Sequence, residues 1–284
     1  MIINNKYKIE NLLAKGAFGA VYKGIHIKTN EIVAIKVDII NVSSLKHEVK
    51  ILNYLFTNKV KKIPSIYWYG LYEEKPCLVM TFYEYSLFDY VMRKPLSIEH
   101  INILMIQIIE IIENIHKYFV LHRDIKPQNF MIKNGDIFLI DFGLATFYSF
   151  DKHSVEQSET SMIGSPKYMS INIHNGYEYY YRDDLISIGY VYLFLLFKEC
   201  FWMPKEYIDI DSKMDILDIT NIHHPKNQAI RDNKIYENLI IQLKNSIYDY
   251  TQIAYYIKNV YDYSWNDIPK YNFLKHIFTY RYGG

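Results

Sequence analysis

One short run of this sequence concentrates chemically useful side chains. His122-Arg123-Asp124-Ile125-Lys126-Pro127-Gln128-Asn129 sets a carboxylate, an ammonium and a carboxamide close together. A reaction that moves a charged group needs positioning and charge neutralisation, and these residue types supply both. A purely structural loop has little reason to collect them. Asp141-Phe142-Gly143 follows, although Asp before Gly is also a common turn sequence. Upstream, Gly16 and Gly19 flank Ala17 and Phe18. Glycines let backbone amides approach phosphates without a Cβ in the way; an ordinary glycine hairpin is the competing reading. Lys36 ends the apolar run Val33-Ala34-Ile35, where it could also be a solvated strand end.

These residues need elements to hold them. Residues 7–14, 20–27 and 31–37 are β-rich runs around the glycine loop, and 65–72 and 76–82 are two more. Residues 45–56 repeat apolar side chains at Leu45, Val49, Leu52 and Leu55 or Phe56, which predicts a helix. After Phe82 the texture turns helical. Residues 98–118 are apolar on more than one face and should be largely buried. Residues 120–140 alternate short strands with turns, and helices resume from Arg182.

Composition narrows the field. The chain has 284 residues, half of them apolar, enough for one large domain or two lobes. Thirty-two Lys and Arg balance 31 Asp and Glu, so no bulk charge argues for nucleic acid. Cys77 and Cys200 lack metal-ligand spacing and read as reduced, buried thiols. The start lacks an apolar signal core, and the longest apolar stretch, 185–197, suits a buried helix better than a membrane span. An intracellular protein with no membrane and no nucleic-acid partner is the expectation. The skew to Ile, Tyr, Asn and Lys, residues with AT-rich codons, fits a viral or protist source.

Taken together and in order, the motifs resemble those of protein kinases. Every position of 122–129 matches the HRDxKxxN catalytic loop, and Asp141-Phe142-Gly143 matches the magnesium-binding DFG. Val33-Ala34-Ile35-Lys36 matches the VAIK strand. Lys15-Gly16-Ala17-Phe18-Gly19-Ala20-Val21 is similar to GxGxFGxV, with Ala14 where the first glycine belongs.

The resemblance implies an α+β, two-lobed fold in a single domain. Residues 1–80 would form a β-rich N-lobe with one main helix, 81–85 a hinge, and 86–284 a larger helical C-lobe. It implies ATP and Mg2+ as cofactors and protein Ser/Thr hydroxyls as acceptors, Lys126 being the Ser/Thr pattern. Asp124 would accept the hydroxyl proton, Lys126 would neutralise the γ-phosphate, and Asn129 and Asp141 would hold magnesium. Lys36 would hold the α- and β-phosphates, itself held by Glu48. Phe142 would pack between His122 and Leu52. Leu13, Ala14, Lys15 and the glycine loop would cover the nucleotide. Val21 and Ala34 would lie above adenine, Met131 below it and Met80 behind it, with the backbone of Thr81, Phe82 and Tyr83 as hinge.

Within the kinases the chain looks like the casein kinase I family, and its codon skew fits a divergent viral member. Gly164-Ser165-Pro166-Lys167-Tyr168-Met169-Ser170-Ile171-Asn172 stands where most kinases have Ala-Pro-Glu, and it is similar to that family's GTxRYxSIN. Residues 182–191 and 265–274 carry further likenesses. This implies a monomer, with Ser165 adding a hydroxyl near Asp124 and Lys126, and with Asp184 bonding backbone amides near His122 and Arg123. The family's basic residues survive at Lys167 and Arg123, but Thr146 and Thr160 replace two lysines, which reduces the expected preference for phosphorylated substrates. Residues 203–233 form a long insertion whose His223-His224 reads as a solvated loop. A pseudokinase scaffold is the alternative, supported by Ala14; a small-molecule kinase is a third reading.

Overall fold

The computed structural model describes residues 1–15, 19–38, 44–148, 163–200, 202, 239, 241 and 251–279. The N-terminal part is a six-stranded antiparallel sheet of β1 (Ile2–Ile3), β2 (Tyr7–Lys15), β3 (Gly19–His26), β4 (Ile32–Asp38), β5 (Ile66–Tyr72) and β6 (Lys75–Thr81). Their spatial order is β1-β2-β3-β4-β6-β5. One helix, α1 (Ser44–Thr57), packs against it.

Strand β4 explains how the sheet positions chemistry. Side chains alternate between faces along a strand. Val33, Ile35 and Val37 enter one apolar cluster with Ile3, Tyr7, Cys77 and Val79. Ala34 enters the other, with Leu78, Met80 and the α1 residues Leu45 and Val49. Lys36 therefore shares the Ala34 face, toward α1. At the entry to β3, Gly19 lies so close to β4 that a Cβ would come within 2.7 Å of the Val37 carbonyl oxygen.

Beyond β6 the chain crosses to the helical part. β7 (Tyr85–Ser86) pairs with β9 (Phe130–Lys133), which pairs with β10 (Asp136–Leu139); β8 (Val120–Leu121) pairs with β11 (Thr146–Phe147). The helices are α2 (Leu87–Arg93), α3 (Ile98–His116), α4 (Ile171–His174), α5 (Tyr181–Phe197), α6 (Thr251–Tyr261) and α7 (Tyr271–Ile277). α5 is the centre, flanked by α3 and α6. It has buried residues all round, as a core helix must. No helix among the described residues is long and apolar enough to cross a membrane. The molecule thus has the expected α+β, two-lobed arrangement, with a sheet-rich N-terminal region and a helical C-terminal region.

The sequence pattern places the change of texture at 81–85, and β6 ends at Thr81. β1, β7 and α2 are short elements outside the runs that pattern picks out. α2 had a readable start: Ser86-Leu87-Phe88-Asp89 is a capping box. Ser86 Oγ accepts from the Asp89 amide at 3.1 Å, and the Asp89 carboxylate accepts from the Ser86 amide at 3.2 Å.

Candidate active site

The N-terminal region delivers Lys36 to the cleft. Its ammonium lies 2.7 Å from Glu48 Oε2 and 2.8 Å from Asp141 Oδ1. Glu48 comes from the buried face of α1, and its other oxygen accepts from the Phe142 amide at 3.2 Å. Helix, strand and the 141–143 segment are thus joined through two side chains. Burial works against the Lys36 charge, but Glu48 and Asp141 outweigh it, so the ammonium holds its proton more tightly than a free lysine. Burial also pushes the Glu48 carboxyl up. At Asp141 burial raises and Lys36 lowers, and Lys36 prevails, bringing the carboxyl down to about 2. Asp141 remains 43% exposed to the cleft and is fully ionised at neutral pH.

A second cluster lies on the catalytic-loop side. Ser165 Oγ donates to Asp124 Oδ1 at 2.8 Å, and Lys126 Nζ lies 2.8 Å from Asp124 Oδ2. Lys126 also donates to Ser165 Oγ at 3.0 Å, closing a triangle. Asn129 Nδ2 donates to the Asp124 carbonyl at 2.8 Å and to Oδ2 at 3.0 Å. The nitrogen of Asn129 is thereby turned to Asp124, which leaves its amide oxygen as the ligand atom.

The loop is held in an unusual backbone shape. Arg123 has φ +65° and Asp141 φ +64°, both in the left-handed region. Asp184, fully buried on α5, accepts from the His122 amide at 2.8 Å and the Arg123 amide at 3.0 Å. Burial pushes this carboxyl up, but the hydrogen bond and charge of His116, followed by His122, hold it below the usual carboxylate range. His122 Nε2 contacts the Ile140 carbonyl at 3.0 Å, and its ring meets Phe142 edge-on at 5.0 Å. Phe142 and Leu52 lie in the same buried core. Gly164, φ +112°, crosses so close to the loop that a Cβ would overlap the Arg123 carbonyl oxygen.

The adenine-slot residues converge less visibly. Ala34 pairs with Met80 across β4 and β6, and both are buried. Val21 lies opposite Lys36, and Ala20 opposite Lys15. Val21, Met131, Thr81 and Phe82 are half-buried. Tyr83 turns its ring onto Phe138, 4.9 Å away, so only its backbone is left for a ligand. Leu13 is exposed and Ala14 pairs with Val21. Gly16, Ala17 and Phe18 lie outside the described residues, as do Thr160, His223 and His224.

A family model of the protein kinase domain matches residues 7–253. The chain belongs to the protein kinase family. Kinases in general draw the transferred phosphoryl group from ATP with Mg2+ and pass it to protein hydroxyls. The donor set fits a hard cation: Asp141 is ionised, and Asn129, its nitrogen engaged by Asp124, has an amide oxygen to offer. Magnesium bound there would neutralise charge on the phosphates. Residues that the kinase motifs did not point to are His116, which touches Asp184, and Gly164, which touches the loop backbone. His116 has no local sequence signal, since its partner is 68 positions away.

Proposed function

We propose that this protein kinase is an active serine/threonine kinase of the casein kinase I-like type, transferring the γ-phosphate of Mg-ATP to protein Ser and Thr hydroxyls. One observation carries the reading: Asp124, Lys126 and Ser165 form a closed triangle of 2.8, 2.8 and 3.0 Å contacts. In it Asp124 orients the acceptor hydroxyl and takes its proton. Lys126, two residues on, neutralises the γ-phosphate, and its presence there is the Ser/Thr pattern. Ser165 belongs to the casein kinase I-like segment and tethers it to the base. Lys36, held by Glu48, positions the α- and β-phosphates; Asn129 and Asp141 hold magnesium. Residues 13–21, Ala34, Met80, the 81–83 backbone and Met131 enclose the nucleotide.

We further assign 1–284 to one kinase domain with its hinge at 81–85, acting as an intracellular monomer. Ala14 in place of a loop glycine favours the second reading, a pseudokinase scaffold. Incubation with γ-labelled ATP and Mg2+, with casein, with a small-molecule panel and with the chain alone, separates the readings. Label on casein serine and threonine is expected. Nucleotide binding without label on any acceptor would establish the scaffold instead.

A further inference from the structure

One groove among the described residues lies apart from the nucleotide-cleft side chains. It has a volume of about 830 Å³ and lies behind the connection between the two lobes. It shares Thr81, Phe82 and Tyr83 with the cleft but includes none of Ala34, Lys36, Met80, Met131 or Asp141. Strand alternation gives the reason. On β9, Met131 and Ile132 point to opposite faces and Ile132 lines the groove, while Lys133, the last residue of the strand, joins it with Asn134 at the strand end.

Its chemistry is one-sided. Four cations line it: Lys23 from β3, Arg93 and Lys94 at the end of α2, and Lys133 from β9. Two carboxylates line it, and each is occupied by a tyrosine hydroxyl. Tyr67 donates to Glu31 at 3.0 Å, and Tyr85 donates to Glu84 at 2.8 Å. None of the four cations makes an ion pair among the described residues. Three rest on rings instead: Arg93 over Tyr85 at 4.1 Å, Lys94 over Tyr90 at 5.1 Å and Lys23 over Phe82 at 5.8 Å. The groove therefore offers unpaired positive charge above aromatic walls.

We infer that this groove is a docking site for an acidic, aromatic-containing peptide segment of a protein partner, separate from the site of phosphoryl transfer. Aromatic side chains of the segment would lie against Tyr67, Tyr85 and Tyr90, and its carboxylates would meet Arg93, Lys94 and Lys133. Charge complementarity of this kind sets partner choice and encounter rate. The size lies within the range of small-molecule and peptide clefts.

The site is tested by equilibrium binding, which needs no catalysis and so stands or falls apart from the kinase reading. A short fluorescent peptide alternating Glu and Tyr is titrated with the full chain at low and moderate salt. A Lys-Tyr peptide and anionic phosphatidylserine vesicles run alongside. Saturable binding of the Glu-Tyr peptide alone is expected, weakening with salt because the contacts are exposed. The double variant Arg93→Glu, Lys94→Glu should weaken it by about tenfold, the effect of two lost exposed pairs turned repulsive. Lys133→Glu, on a different element, should weaken it as well, which guards against a folding defect in α2. Saturating ATP analogue should leave the peptide bound. Absence of binding, binding indifferent to both variants, displacement by the nucleotide analogue, or preference for the vesicles would each overturn the proposal.

Discussion

The imidazole of His116 and the carboxylate of Asp184 meet at 2.9 Å beneath the catalytic loop, both buried. His116 is the last residue of α3, and its other nitrogen contacts Tyr271 Oη at 2.7 Å. Asp184 carries the loop amides of His122 and Arg123 on its two oxygens. The backbone that bears Asp124 is therefore pinned to the centre of the helical region through one carboxylate.

That arrangement has a pH signature. The folded Asp184 carboxyl lies below its unfolded value, as does Asp141. A depressed carboxyl contributes stability that is fully present above its unfolded pKa, near 4, and is lost as pH falls through the folded value. Unfolding monitored between neutral pH and about pH 2 should show a steep acid limb. Asp184→Asn should flatten that limb and cost about 3–5 kcal/mol at neutral pH, as expected for breaking a buried hydrogen-bonded pair. An unchanged acid limb in Asp184→Asn would remove the carboxylate from this role.

The proton and metal roles separate in two variants. Asp124→Asn should abolish transfer and leave nucleotide binding near its original strength, because this side chain faces Lys126, Ser165 and Asn129, not the Lys36 cluster. Asp141→Ala should weaken Mg-ATP binding as well, since it removes both a cation ligand and a Lys36 partner. Single-turnover phosphorylation beside nucleotide titration reads both. Undiminished transfer by Asp124→Asn contradicts its assignment as base.

Much of this site could be read in the sequence, for a physical reason. Lys36, Glu48, Asp124, Lys126, Asn129 and Asp141 sit in local patterns whose order fixes their elements. Period-two alternation in 33–37 already assigns Lys36 and Ala34 to one face. What stayed hidden depends on tertiary proximity. Gly164 looks like any loop glycine until Arg123 is seen against it. The rear groove draws on β3, β5, α2 and β9, none of which signals it alone. The α2 capping box, Ser86 with Asp89, is a signal legible from local sequence alone.

Gly164 yields a further test. Alanine there meets both a left-handed backbone and the Arg123 carbonyl. Backbone strain of this kind costs about 1–3 kcal/mol and must be relieved by moving 164–165 away from the loop. Ser165 would then leave Asp124 and Lys126. Gly164→Ala should lower kcat by about 10²-fold, a misplacement of the order of 1 Å being enough, with a much smaller change in nucleotide affinity. Ser165→Ala, which removes the hydroxyl without moving the backbone, should lose less. Equal losses in the two variants would show that the hydroxyl, not the backbone position, is what matters.

Substrate preference gives the last prediction. Thr146 lies on β11 opposite Leu121, immediately before the catalytic loop, and on the casein kinase I-like reading proposed above it stands where that family carries a lysine. Arg123 Nε is committed to the Leu144 carbonyl at 2.7 Å, which fixes its guanidinium two residues from Thr146 in sequence. A lysine at 146 would add a second cation on that side. A well-formed charge-assisted contact to a phosphate is worth about 1.5–3 kcal/mol, less where solvent screens it. Thr146→Lys should therefore raise kcat/KM several-fold on a peptide that already carries a phosphate, and leave the matched unphosphorylated peptide nearly unchanged. The gain should shrink as ionic strength rises. The comparison is made with both peptides at two salt concentrations. An equal rise on both peptides would mean the new lysine acts on catalysis in general and not on recognition of the phosphate. A strong preference for the phosphorylated peptide in the unmodified protein would place the recognising cations elsewhere in the chain.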